Sequence, residues 1–300
     1  MASLADREPG IDRPARRAPS LFLRLLRRPM GLIGSALVFF VIVVAVLAPH
    51  LAPYSPIRQF SDGLSAQGAP LPPGGKFLLG TDDLGRDILS RLLYGSRNAL
   101  EFSLIATAAV TLIGVLFGVT AGYFGGAFDQ LVMRFTDAMY AFPFLLFLIF
   151  LISVVHHTTL AELILLVALT FWPSTARLAR SETLVAKETA FVEAERSLGA
   201  SPMRILVRHV VPNIMAPVIV ITTQRIGALI SLQAALSYLG LGTPPPAPTW
   251  GAMVAEGQQY FQIAPWMFIY PGIALTITVL GFNLLGDALN AVLNPKRGNG

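Results

Sequence analysis

The chain has 300 residues, of which 54% are hydrophobic and only 13% charged, with a mean hydropathy of +0.64 and a formal net charge of +5. Soluble domains carry about 25% charged residues, so this composition excludes an ordinary water-soluble fold. The absence of cysteine excludes disulfides, thiolate metal sites and thiol chemistry.

The apolar residues gather in six runs, approximately 31–48, 102–123, 135–155, 160–176, 213–236 and 267–293. A bilayer core about 30 Å thick takes roughly 20 helical residues to cross. Runs of that length predict helices rather than the alternating strands of a barrel. The first run, 18 residues without a charge, is longer than the removable core of a signal peptide, about 7–15 residues, and reads as a retained span. The expected fold is therefore an all-α membrane protein with six transmembrane helices. Its organisation is a tail at 1–30, a first span at 31–48, an outer loop at 49–98, a five-helix core at 99–293 and a tail at 294–300. Sixteen basic residues fall in the two tails and the loops between spans two and three and spans four and five; five fall in 51–98, and Arg225 lies inside a span. Positive charge stays in the cytoplasm, which puts both termini there. The pI near 9.8 then reflects topology, and no basic patch with interleaved aromatics suggests nucleic acid.

Along the chain, 1–21 is an Arg-, Pro- and Ala-rich tail, and 21–28 alternates apolar and basic residues. That pattern fits either a short helix on the membrane surface or a simple basic anchor, with Pro29 suited to a helix start. The segment 49–73 holds six prolines, too many for a regular element. After it come Gly80, Thr81, Asp82, Asp83, Leu84, Gly85, Arg86 and Asp87, then Ile88, Leu89, Leu92 and Leu93 interleaved with Arg91 and followed by Arg97. The apolar positions share one helical face, predicting an amphipathic outer helix, a gate or docking element, that leads into span two.

Between spans four and five lies a charged segment of roughly 35 residues, far longer than a hairpin needs. Thr189 is placed to cap a helix running to Leu198, with Gly199 as a left-handed stop. Ser201 and Pro202 then look like the cap and first residue of a second helix ending near Pro212 and Asn213. The object is a helix, a Gly turn and a helix. Phe191, Ala194 and Leu198 lie on one face of the first helix, ready either to enter a partner's groove or to rest on the membrane.

The run Glu193-Ala194-Glu195-Arg196-Ser197-Leu198-Gly199-Ala200-Ser201, with Pro212 thirteen residues after Gly199, resembles the EAA loop of permease subunits of ATP-binding-cassette (ABC) importers. Glu195 stands where that family usually has Ala, and Val211 where it has Leu. More of the chain resembles the C-type permease of the dipeptide, oligopeptide and nickel branch. The matching stretches are Gly80 to Arg97; Asp129, Met133, Arg134, Asp137 and Phe142-Pro143; Trp172-Pro173, Ala176-Arg177 and Arg180; Leu236 to Gly242 with Pro244-Pro245; and Trp250-Gly251-Ala252-Met253. Ala99 and Ser103 depart from the usual Ser and Gly. The resemblance covers roughly 20–295. It implies a type I importer permease fold in the bacterial inner membrane, with a coupling loop at about 180–212 docked on an ATPase. It also implies a second homologous permease as heterodimer partner, two ATPase subunits that bind ATP and Mg, an outer solute-binding protein and surrounding membrane lipid. The cargo implied is a di- or oligopeptide, with nickel, glutathione or another small solute as alternatives.

Within the spans, Arg225 beside Gln224 suits either the translocation path, an intersubunit contact or a structural pair, because a mid-bilayer charge must face protein or water. Asp137, Glu162 and Asp287 lie near span ends and read as structural. Gly114, Gly118 and Gly122 allow close helix approach. His156-His157 do not share a helical face and do not read as a metal site. The outer candidates are Asp82, Asp83, Arg86, Asp87, Arg97 and Trp250. No His-Glu-x-x-His, Gly-x-Ser-x-Gly or Walker motif is present, so no catalytic or cofactor-binding residue is assigned to this chain. A gradient-driven secondary transporter is the rival of another class, though internal repeats are not visible.

Overall fold

The computed structural model describes residues 21–155 and 159–293; the basic tail, His156-His157 and the segment 294–300 lie outside the described residues. The regular elements among the described residues are helices, and the non-helical segments, the longest of them 52–87, carry only isolated bridges. Helix α1 (Leu21–Leu26) precedes α2 (Pro29–Leu51), with Pro29 in the first turn. Leu25 is buried, and α1 packs on α2 and on the last helix of the chain.

Helix α3 (Ile88–Phe124) is 37 residues long, about 56 Å at about 1.5 Å per residue, so it crosses the bilayer and stands well clear of it. This corrects the expected separate outer helix: Ile88, Leu89, Leu92 and Leu93 are the first turns of the span itself. The Asp87 side chain caps it, accepting from Ser90 N at 2.8 Å. Helices α4 (Gly126–Tyr140) and α5 (Phe144–Val155) meet at 88°. The expected third span, 135–155, is therefore not one continuous helix. Pro143 lacks an N–H and disfavours helical backbone at Phe142.

Helix α6 (Leu160–Ala186) begins with a capping box formed by Thr159 and Glu162, and it runs ten residues beyond the expected end at 176. The extension is held by Arg177–Asp137 at 2.6 Å and Arg180–Asp129 at 2.5 Å, which satisfy the charges as the helix leaves the apolar zone. Then come α7 (Ala190–Ser197), α8 (Pro202–Ile205), a π turn (Leu206–Val210) and α9 (Val211–Tyr238). The return helix was expected to stop near Pro212; instead it continues into span five, Pro202–Tyr238 forming one 37-residue candidate span. Pro212 has no N–H to complete an α pattern, and the π turn precedes it. A further helix, α10 (Trp250–Gln259), forms where an outer loop was expected, and α11 (Trp266–Leu293) closes the bundle.

Among the described residues five helices are long and apolar enough to cross a membrane, and the bent α4–α5 pair brings the number to six where it counts as one span. The most extensive contact joins α3 and α6. A Cβ on Gly114 would lie 2.4 Å from Thr175 Cβ, and one on Gly118 would lie 2.3 Å from Ala176 O. Without a hydrophobic force between helices in lipid, such backbone approach supplies the packing.

Candidate functional site

Three regions at different depths carry the unusual side chains. At the end predicted to be inner, α7 is closed by two backbone bonds: Gly199 N donates to Arg196 O at 3.1 Å and Ala200 N to Glu195 O at 3.1 Å. This is a Schellman stop, and Gly199 at φ +79 supplies the left-handed residue it demands. Ser201 Oγ accepts from Arg204 N at 3.4 Å, and Pro202 opens α8 as its first residue. Thr189 occupies the cap position, but its hydroxyl donates to Ala186 O at 2.6 Å and makes no side-chain cap bond. Val192 is the buried anchor of α7, joining Ala179, Ala186, Ile205 and Val210. Glu195 Oε1 lies 3.4 Å from His209 Nε2, tying the first helix to the π turn and giving the departure from Ala a local role. Lys187 Nζ donates to Gly122 O at 3.0 Å, fixing the base of the loop to α3. Glu193, Ala194, Phe191, Leu198 and Met203 remain exposed, Leu198 at 83%.

In mid-membrane, Arg225 is 9% exposed. Its Nη1 donates to Thr175 Oγ1 at 2.5 Å and its Nη2 to Ser174 Oγ at 2.9 Å, both on α6. A charge at this depth costs about 2.5–3.5 kcal/mol on insertion scales. Interhelical hydrogen bonds in membranes average about 0.6 kcal/mol each, so two hydroxyls do not offset the cost. Gln224 turns away, donating from Nε2 to Asp287 Oδ1 on α11 at 3.0 Å. Asp137 and Glu162 are structural, in an ion pair and a capping box. A groove of about 480 Å³ opens between α5, α6 and α9, lined by Phe144, Phe171, Ser174, Gln224 and Arg225 among others. It adjoins a second cavity of about 450 Å³ beneath the α4–α5 break, lined by Tyr140, Phe142, Pro143 and again Phe144, Phe171 and Ser174. Irregular backbone at membrane depth is tolerated where it is buried or lines a watery cavity.

At the end predicted to be outer, Asp82 is 1% exposed and organises its own turn: Oδ1 accepts from Leu84 N and Arg86 N, and Oδ2 from Arg86 Nε at 2.6 Å. Arg91, 2% exposed, has Nε 3.2 Å from Asp82 Oδ2 and donates from Nη2 to Glu256 Oε2 at 3.1 Å. Arg86 reaches the same Glu256 oxygen at 3.3 Å. Burial raises the Glu256 carboxyl above its ordinary value, opposed by Arg91 and Arg86; burial and then the Asp82 charge raise Asp83. Trp250 Nε1 donates to Leu92 O at 3.0 Å, and its ring packs against Gly95. Among the expected outer residues, Asp82, Asp83 and Arg86 cluster, Asp87 caps α3, Trp250 clamps α10 to α3, and Arg97 is exposed outside the group. Arg91 and Glu256 were not expected at the centre. The available signal was that Glu256 is the only charged residue between Arg225 and Asp287.

Several long apolar helices packed in one bundle define the chain as a multi-pass helical membrane protein. The chain belongs to the family described as binding-protein-dependent transport system inner membrane component, whose pattern matches residues 114–299. Residues 20–73 match the pattern of the N-terminal TM domain of oligopeptide transport permease C. The chain is 40% identical over 273 residues to a putative peptide transport system permease protein of Brucella suis, covering 91% of this chain and 90% of the relative. It is 38% identical to the glutathione transport system permease protein GsiD of Pectobacterium atrosepticum, covering 91% and 89%. To the protein of that name in Escherichia coli O6:K15:H31 it is 41% identical, covering 91% and 88%. The chain is thus a multi-pass permease subunit of an ABC importer in the bacterial inner membrane, and works with ATPase and solute-binding partners.

Proposed function

We propose that this subunit forms one half of a pathway for di- or oligopeptides, the other half coming from a second, homologous permease in a heterodimer. Two ATPase subunits bind ATP and Mg; this chain holds no cofactor and has no ATPase site of its own. Both termini and the α7–Gly199–α8 loop face the cytoplasm, as the bias of basic residues supports. The observation that carries the reading is the Schellman-closed loop with Phe191, Leu198 and Met203 exposed: its backbone is fixed while its apolar side chains lack cover. Closing the ATPases would move the segment around Glu193 to Ser201 as a lever and rock the two permeases, coupling through contacts that differ between the two states. The outer cluster of Asp82, Asp83, Arg86 and Asp87, with Trp250, would form the face that gates the pathway or receives the solute-binding protein.

Glutathione is the second reading, supported by relatives that carry that name at 38–41% identity; it is itself a small peptide with free carboxylates. The test is to purify the tagged protein from native membranes in mild detergent and identify by mass spectrometry its companions and the ligand of the associated binding protein. A second permease, two ATPase chains and a bound peptide are expected. A bound metal or other solute would replace the cargo, and a solitary chain, where known importers survive the same protocol, would overturn the assembly.

A further inference from the structure

Both described hydrogen-bond partners of the Arg225 guanidinium are hydroxyls, on Thr175 and Ser174. Hydroxyls satisfy donors but supply no charge, and no carboxylate among the described residues forms an ion pair with this group; Asp287 on α11 accepts from Gln224 instead. The guanidinium is also held in orientation, since both bonds run to adjacent residues of α6, and Ser174 belongs to both adjoining cavities. The walls on either side are Phe144, Phe171, Leu229 and Leu232, which offer area without demanding a particular side chain.

A fixed cation on a mostly apolar wall whose other polar groups, on Ser174, Gln224 and Ser231, are uncharged, next to the unwound turn at Phe142 and Pro143, recognises one chemistry well. Arginine binds carboxylates through charge-assisted, often paired hydrogen bonds, and a few placed polar groups in an apolar cavity set orientation. We propose that Arg225 is the residue that receives a carboxylate of the solute as it passes mid-membrane, making a free carboxylate a specificity element of the pathway itself. This rests on the peptide reading above. Peptides with a free C-terminus bring such a carboxylate in every molecule, whatever their side chains.

The test uses the assembled transporter with its binding protein in proteoliposomes. One peptide is supplied as the free acid and as the C-terminal amide, each preloaded on the binding protein, and ATP-dependent uptake is measured for the native protein, Arg225→Gln and Arg225→Lys. Arg225→Gln is expected to lower the ratio of acid to amide uptake by about 10- to 100-fold, the size of one hydrogen bond to a charged group. Arg225→Lys should recover part of the ratio by keeping the charge without the fork. An equal loss of both peptides in Arg225→Gln would assign the residue to structure or to a carboxylate of the second permease and overturn the proposal. An unchanged ratio with full uptake would overturn it as well. If the native protein takes up neither peptide, the peptide reading falls first and this inference with it.

Discussion

On the face predicted to be outer Arg86 and Arg91 lie among Asp82, Asp83 and Glu256, and Trp250 is fastened to the backbone of α3; on the face predicted to be inner Phe191, Leu198 and Met203 are exposed, with Phe191 beside the His209 ring. The first region spends its charges within the chain. The second fixes its backbone by a left-handed glycine and two turn bonds and leaves its apolar side chains uncovered. The outer region pairs its charges within the chain, whereas on the proposed reading the inner one is half of an interface, and substitutions should separate stability from coupling along that line.

The largest effect is expected at Arg91→Met. Removing one partner from a buried ion pair costs about 3–5 kcal/mol, because the remaining charges lose their compensation. Asp82 at 1% exposed would bear most of it, and Glu256, more open to water, less. A thermal melt in detergent should show a clear drop in midpoint together with lower abundance in the membrane. Arg97→Met, on an exposed side chain, should stay within about 0.5 kcal/mol. If both variants behave alike, the outer region is not held by its ion network.

The contrast also marks what was legible beforehand. Apolar runs gave the spans because membrane burial depends on local composition, and the turn at Gly199 was readable because the stop signal and both of its backbone bonds lie within six residues. The outer network was not readable in the same way. Arg91 and Glu256 are 165 residues apart, and only the packing of α10 on α3 brings them together. The break between α4 and α5 had its signal in Pro143, but an uninterrupted apolar run outweighed it, and periodicity does not report an angle. The lengths of α3 and α6 were underestimated because charges at their ends were taken as helix limits, when Asp87 caps one and the pairs with Asp129 and Asp137 sustain the other.

A middle-sized effect is expected at Gly199→Val. A branched side chain in the left-handed region costs about 1–2 kcal/mol, and nothing lies within 4 Å of the added Cβ, so the cost is backbone strain alone. The strain falls on the turn joining α7 to α8 rather than on the bundle. Uptake per ATP hydrolysed, in the assembled complex, should fall at unchanged membrane abundance. Normal uptake at equal abundance would remove the turn from the coupling path.

The smallest structural effect and the sharpest separation should come from Leu198→Ser. At 83% exposed, Leu198 contributes little to the fold, and a surface change of this kind stays within about 0.5 kcal/mol. If the exposed apolar side chains are the chain's half of an interface, the same substitution removes an anchor from it, and truncating an interface anchor costs more than about 1 kcal/mol of binding. Co-purification with the ATPase subunits should therefore weaken several-fold while the thermal midpoint of the isolated subunit holds. A fall in the midpoint with retained ATPase would mean that Leu198 stabilises its own chain, and the inner region would then be as self-contained as the outer one.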